Sequence, residues 1–318
     1  MDNSAAIYVY EWNAWEYFLL PAALPGARRI PAHPGENYTD VAARVQGDGG
    51  TFIFHLNLTE TSRIPAGRVE LCEHLRARGA RVLNGRVTDI SKRALQDTCR
   101  RAGLRTVAAA RAGAPDDTLI VKSNLNYGGL GESWLTADDR LKVGLKDAPR
   151  WPDYDAGSSE GERGREDVLE VPSYRILPRC EVGPDVWDSA DLVVENYVGN
   201  SRDLFYRVHL LGGHVVISRV FDAAPIKKFP PGIQRDDWHF VIPKSAFVKG
   251  VAGLPAPTDL VEDVLVLCRS MGLDFGALDV VQDDAGAFYI VDVNSTPWWG
   301  KVEAEDEAMI RFLGSGLW

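Results

Sequence analysis

Three oxygen-bearing side chains, Asp279, Asp292 and Asn294, interrupt two apolar, strand-like runs at 273–282 and 287–294. Between the runs, Asp283-Asp284-Ala285-Gly286 reads as a tight turn, so the runs pair antiparallel as a hairpin. With the turn there, Asp279 falls opposite Ile290. Period-two alternation then puts Asp279, Asp292 and Asn294 on one face. Two carboxylates so placed repel each other unless a cation lies between them. A few hard oxygen donors open to solvent suit Mg2+ shared with phosphate oxygens. A surface hairpin with incidental acids is the alternative, and the flanking Ile, Val, Phe and Tyr residues argue for burial instead.

Other residues carry complementary chemistry. Lys122 ends an apolar strand and precedes Asn126-Tyr-Gly128-Gly129-Leu-Gly131. Gly128, Gly129 and Gly131 allow close backbone approach to an anion, and a lysine beside them supplies a point charge for phosphate. The Walker order is absent, because this lysine precedes the glycines; a plain glycine turn is the competing reading. Glu195-Asn196-Tyr197-Val198 leaves a strand and can offer an acid and main-chain groups to a purine edge, or be an ordinary edge strand. Arg207 and Arg219 follow on a hairpin, where guanidinium groups can hold phosphoryl or carboxylate oxygens, or simply face solvent.

The chain that must position these residues has 318 residues, 45% hydrophobic and 25% charged, with net charge −10. This predicts about two soluble globular domains with a sizeable core. The charge argues against a nucleic-acid footprint. Cys72, Cys99, Cys180 and Cys268 show neither CxxC nor zinc spacing; three of them fall in helical patterns as small buried hydrophobes. A reducing cytoplasm is the expected compartment, and no apolar run is long enough for a membrane span.

Along the chain, residues 7–10 and 52–58 read as strands, with a Pro- and Gly-rich stretch between them that patterning does not assign. A helix over 67–78 places Val69, Leu71, Cys72 and Leu75 on one side, and Gly79 stops it. A strand over 81–83 completes a small α/β unit without a GxGxxG turn. Ser91 caps a second helix, closed by Gly103. Strands follow at 118–122 and 192–198. A charge-dense, glycine-rich segment over 146–170 reads as a mobile loop. Residues 205–211 and 214–221 form a hairpin about Gly212-Gly213, and 260–271 an amphipathic helix closed by Gly272.

The order of these parts resembles the ATP-grasp superfamily, most closely the branch of glutathione synthetase and the peptide-tailoring glutamate ligases. The resemblance spans about 84–300 and rests on Ser91-Lys92, Val121-Lys122 with its glycine loop, Val194-Glu195-Asn-Tyr-Val198, Tyr206-Arg207-Val, Leu278-Asp279-Val and Val291-Asp292-Val-Asn294-Ser-Thr-Pro297. It implies an α/β (α+β) ATP-grasp fold with nucleotide between two α+β subdomains: an N-terminal pre-ATP-grasp domain over 1–90, a central subdomain over 91–193 and a C-terminal subdomain over 194–318. It further implies that Lys92, Lys122 and the glycine loop contact ATP phosphates. Glu195 with the backbone of Tyr197 and Val198 would read adenine, and Asp279, Asp292 and Asn294 would ligate two Mg2+ ions, with Mn2+ as a substitute. Arg207 would stabilise the transferred phosphoryl group or the acyl-phosphate, and Arg219 on the same hairpin is the second candidate catalytic guanidinium.

This pattern departs from the family in three places. A ribose-binding acid commonly precedes the arginine by two residues; here that position is Phe205, and Asp203 is the nearest substitute. The central metal ligand is usually Glu, and here it is Asp292. Trp298-Trp299-Gly300 follows Pro297 where a small residue is common; the tryptophans serve core packing or, facing the site, favour an aromatic or cationic substrate. The implied activity is ATP-dependent carboxylate–amine ligation through an acyl-phosphate, with the glycine loop and the 146–170 segment as lids. A phosphotransferase or a non-catalytic ATP-binding protein are the competing readings. Partners are a carboxylate and an amine, small molecules or peptides, with residues 222–250, including Lys227, Lys228, Arg235 and Trp238, bordering the acceptor; homodimerisation is common among such proteins.

Overall fold

Two strand patterns with a capped helix between them build the N-terminal layer. The computed structural model describes residues 6–12, 19–145, 174–225, 237–242, 247–250, 257–298 and 306–317. Strand β1 (Ile7–Glu11), helix α1 (Leu19–Ala23), β2 (Arg28–Pro31), α2 (Tyr38–Arg44), β3 (Thr51–His55), α3 (Arg68–Ala77) and β4 (Arg81–Leu83) follow in order. The four strands form a parallel sheet, β2-β1-β3-β4, and each is joined to the next in the chain through a helix, as parallel pairing requires. The stretch that sequence patterning leaves unassigned contributes β2 and α2. Helix α2 starts where it does because the Asn37 side chain accepts from Thr39 and Asp40 N–H groups in a capping box. Helix α3 buries Arg68, Leu71, Cys72 and Leu75, a stripe at three- and four-residue spacing. Val69 lies off that stripe and is 67% exposed, contrary to the expected face.

The middle of the chain adds α4 (Lys92–Arg101), β5 (Thr118–Ser123), α5 (Leu130–Ser133), α6 (Ala137–Val143), β6 (Tyr174–Pro178), α7 (Pro184–Asp188) and β7 (Leu192–Asn196). Strands β6-β5-β7 form a three-stranded antiparallel sheet. Strand β7 stops at Asn196, two residues before the expected end. The Ser91 hydroxyl accepts from Ala94 N–H and fixes the start of α4, whose Leu95 and Cys99 are buried.

The last third supplies β8 (Leu204–Leu211), β9 (His214–Phe221), β10 (Asp237–Ile242), β11 (Phe247–Gly250), α8 (Thr258–Met271), β12 (Phe275–Gln282), β13 (Phe288–Asn294) and α9 (Glu307–Gly314). Its six strands form an antiparallel sheet, β11-β10-β9-β8-β12-β13. The architecture is thus α+β, with one parallel and two antiparallel sheets among the described residues. One face of the six-stranded sheet packs Tyr206, Val208, Ile217, Leu278, Val280 and Val293 against α4 and α8. By strand alternation the opposite face carries Arg207 and Asp279, which are paired across β8 and β12. Residues 146–170, Lys227, Lys228, Arg235, Trp299, Gly300 and the side chain of Trp238 lie outside the described residues. Among the described residues no helix is long and apolar enough to cross a membrane.

Candidate functional site

The β12–β13 hairpin pairs with one irregularity, and that irregularity makes the site. Gln282 stands opposite Phe288 and Val280 opposite Ile290, one residue off the register expected from a 283–286 turn because Ala287 also belongs to the connection; Asp279 then stands opposite Asp292, so Val291 is an extra residue in β13. Without this β-bulge, Asp279 would face Val291, and Asp292 with Asn294 would point to the other side of the sheet. The expected pairing of Asp279 with Ile290 is therefore corrected, while the expected common face is present. Across the neighbouring strand Asp279 meets Arg207, and Arg207 meets Ser218 on β9. A row Ser218–Arg207–Asp279–Asp292 thus crosses four strands.

Charge along this row is tightly paired. Arg207 donates to Asp279 at 2.6 Å. Burial alone would lower the Arg207 pKa, but the Asp279 carboxylate beside it raises it. Burial pushes the Asp279 carboxyl up, with Asp292 adding to that shift and Arg207 opposing it. Arg219 is not in this row. It stands opposite Tyr206, on the other side of the sheet from Arg207, with its guanidinium over the Phe221 ring. Strand alternation separates residues an even–odd step apart, so the expected pairing of the two arginines at one site is overturned.

Two buried lysines approach the carboxylates from other elements. Lys92, at the start of α4, is 3% exposed, donates to the Leu125 carbonyl at 3.0 Å and lies 3.6 Å from Asp292. Lys122, near the end of β5, contacts Glu195 at 2.6 Å and the Val291 carbonyl at 3.1 Å. The bulged residue therefore also ties the three-stranded sheet to the six-stranded one. Lys92, Lys122, Glu195, Asp279 and Asp292 line a single cleft whose apolar walls include Ile120, Val198 and Val281, with ≈ 740 Å³ of empty space counted out to open solvent. Tyr174 and Asn200 also line it. Burial, reinforced by Asp292, pushes the Tyr174 hydroxyl up to about 12. Neither residue carries a motif that sequence reasoning could have used.

At the far end of the cleft the expected main-chain contacts are partly spent. The N–H of Tyr197 donates to the Thr118 carbonyl at 3.0 Å, so it extends the sheet and is not offered to a ligand; its hydroxyl bonds to Pro225. Val198 lines the cleft as expected. Asp203 occupies a turn with φ 54° and is not among the cleft-lining residues; Asn200 takes that place.

The glycine loop is a left-handed turn set against the N-terminal layer. Tyr127, Gly128 and Gly129 all have positive φ, at 46°, 65° and 83°. Gly131 serves packing rather than the open loop: a Cβ there would lie 2.0 Å from the Asn57 carbonyl oxygen. Asn126 N–H donates to Thr59 Oγ1 at 2.9 Å, and Thr59 N–H to the buried carboxylate of Glu132 at 2.6 Å. Burial raises the Glu132 carboxyl.

Asn294 departs from expectation. Its side-chain oxygen accepts from Thr296 N–H at 2.9 Å and from Asn126 at 3.4 Å, while its amide nitrogen donates to the Tyr127 hydroxyl. In this arrangement it presents N–H, not oxygen, to Tyr127. The donor set for a cation is therefore Asp279 and Asp292. Among the described residues no group of three or more His, Cys, Asp and Glu converges on one point. The two carboxylates still fit a hard divalent ion: they are directly opposed, and Asp292 Oδ1 is buried without a hydrogen-bond partner. Trp298 is 46% exposed, so it is not a core residue.

No family model and no curated protein matches this chain. Solved structures resemble it over most of its length. A RimK-domain ATP-grasp protein from Sphaerobacter thermophilus is 12% identical with TM-score 0.45, covering 98% of this chain and 99% of that one. The ATP-grasp ligase PsnB, solved with a minimal precursor, is 12% identical with TM-score 0.49, covering 98% and 100%. An L-amino acid ligase from Bacillus licheniformis is 10% identical with TM-score 0.43, covering 92% and 68%. At these identities and scores the likenesses carry no argument about activity, which rests on the geometry of the site.

Proposed function

We propose that the chain is an ATP-dependent carboxylate–amine ligase of the ATP-grasp type, forming an amide through an acyl-phosphate and releasing ADP and phosphate. One observation carries the reading. One cleft is lined by two carboxylates that each carry a buried oxygen without a hydrogen-bond partner, Glu195 Oε1 and Asp292 Oδ1, and by two buried lysines; Lys92 stands 3.6 Å from Asp292 Oδ1 and Lys122 is paired with the other Glu195 oxygen. An unsatisfied buried acceptor calls for a donor or a cation from a ligand. Glu195 suits the amino group of a purine, and Lys92 and Lys122 suit phosphates. Asp279 and Asp292 suit the Mg2+ that accompanies phosphates, which when bound neutralises charge developing on the transferred group.

In this reading Arg207 holds Asp279 in place, and the remaining donors of its guanidinium would bind oxygens of the phosphoryl group or the acyl-phosphate. The glycine loop covers the phosphates and keeps water from the activated acyl group. The chain divides into an N-terminal domain over 1–90 and two subdomains over 91–193 and 194–318, with nucleotide between the latter. The acceptor is an amine on an amino acid or short peptide.

The test is a screen of amino acids and short peptides for ATP-dependent ADP release, with mass analysis of products. The reading expects amine-dependent ADP release and a product heavier by the amine less one water. Stoichiometric phosphorylation of a substrate without any amine would turn the assignment to a phosphotransferase. Absence of ATP turnover with every acceptor would leave only nucleotide binding. An Asp292→Ala protein with undiminished turnover would refute the metal assignment in either enzymatic case.

A further inference from the structure

The proposed ligase reading leaves one residue unexplained. Tyr127 stands in the left-handed region, which bulky L residues avoid, and it does so directly before two glycines that also take positive φ. Such a conformation persists where its surroundings hold it, and it marks sites where a side chain must be aimed. The anchors are visible on both sides: Asn126 bonds to Thr59, and Glu132 with Gly131 docks on the 57–59 segment. Between them the ring of Tyr127 is 38% exposed, so apolar burial does not account for its placement. Its hydroxyl takes the amide N–H of Asn294 and lies 3.4 Å from the Trp298 N–H.

The consequence concerns Asn294. The acceptors and donors around its amide fix its orientation, because the Thr296 N–H needs the oxygen and the Tyr127 hydroxyl takes the nitrogen. Its oxygen is thereby committed to Thr296 and Asn126. We propose that Tyr127 is a positioning residue for the divalent-cation site: while its hydroxyl is seated on Asn294, only Asp279 and Asp292 face the cation, and recruitment of Asn294 as third ligand requires the glycine loop to withdraw that hydroxyl. Loop position and cation affinity are then linked through one side chain, and by reciprocity a bound cation favours the withdrawn loop. This rests on the ligase reading for the identity of the cation site, and on the Tyr127–Asn294 contact for its control.

Mn2+ titration of the full chain, followed by the electron-spin signal of the free ion, tests this without any turnover. Tyr127→Phe keeps the ring and deletes the hydroxyl; it is expected to bind Mn2+ about three- to tenfold more tightly, the range set by one net hydrogen bond. Tyr127→Asn, a residue that tolerates the left-handed region, guards against loss of the loop's shape and is expected to tighten binding likewise. In an Asn294→Ala background the Tyr127→Phe effect is expected to vanish. Unchanged Mn2+ affinity in both Tyr127 variants, with affinity lost in Asp292→Ala, would overturn the role of Tyr127 and leave the ligase reading standing. Wild-type protein that binds no Mn2+, with or without ADP, would overturn the cation site and this inference with it.

Discussion

At the residue scale, the site is built from groups that fit a ligand better than they fit each other. Asp279 and Asp292 are directly opposed on adjacent strands, where like charges destabilise by up to roughly 1 kcal/mol. Arg207 offsets one of them at 2.6 Å, whereas Lys92 stands 3.6 Å from the other. Asp292→Asn is therefore expected to stabilise the protein at neutral pH by about 0.5–1 kcal/mol while abolishing Mn2+ binding, the exchange of stability for function expected of an active site. The pH dependence has a definite sign. Burial, with help from Asp292, raises the native pKa of Asp279, so its protonated form favours the fold. That contribution is complete below the ordinary carboxylate range and is lost as pH rises through the raised native value. Removing the Asp292 charge lowers that value, so the advantage of Asp292→Asn should be largest at neutral pH and shrink as pH falls through the raised Asp279 value, where protonation of Asp279 removes the repulsion. Urea midpoints of the two proteins across that range would show it; a constant difference would argue that the carboxylates do not interact.

At the element scale, the bulge at Val291 and the ion pair of Lys122 hold the two antiparallel sheets in register with each other. Lys122 and Glu195 are both almost completely buried, and Lys122 bridges from Glu195 to the Val291 carbonyl. Lys122→Met leaves a buried carboxylate uncompensated and is expected to cost about 3–5 kcal/mol. Lys122→Met with Glu195→Leu is expected to recover most of that loss without recovering nucleotide binding, because a buried pair replaced by apolar groups is often neutral. Chemical denaturation of the single and double variants gives the coupling. The elements themselves were legible from periodicity and caps: Ser91 and Gly103 bound α4, Gly272 closes α8, and Gly212-Gly213 turns the β8–β9 hairpin. The bulge was not legible, because an extra residue in a strand changes no residue type; only pairing with β12 reveals it. For the same reason the sequence grouped Arg219 with Arg207, although one step along a strand reverses the face. The common face of Asp279 and Asp292 is present although the expected pairing is not: the longer connection shifts the register by one residue and the bulge shifts it by one more, which restores the face. Asn294 was anticipated as a ligand because its type suits one, while its actual partners, Thr296, Asn126 and Tyr127, come from tertiary contacts that spacing does not encode.

At the scale of the whole molecule, the N-terminal sheet and the six-stranded sheet share a core, so the cleft does not stand on a separable half. Val9, Leu19, Leu20 and Ile53 pack with Leu211, Phe275 and, from α9, Ile310 and Leu313. The polar counterpart of that core is Asn84, at the end of β4. It is 1% exposed, has φ 54°, accepts from the N–H groups of Asp274 and Phe275 at 2.8 and 3.0 Å, and donates to the Phe275 carbonyl at 2.7 Å. One side chain thus satisfies three main-chain groups at the start of β12, the strand that carries Asp279. Asn84→Ala removes all three partners and keeps a Cβ in the left-handed region; Asn84→Gly removes the same partners but relieves the backbone. Both variants are expected to be destabilised by roughly 3 kcal/mol or more, since each buried unsatisfied group costs about 1–3 kcal/mol. The alanine variant should be the worse of the two by about 1 kcal/mol, the cost of a non-glycine residue in that region. Because the lost bonds join two sheets, hydrogen exchange should report reduced protection in β3 and β12 together. Loss of protection confined to β4 would show instead that the two layers unfold independently and that Asn84 is a local cap rather than the link between them.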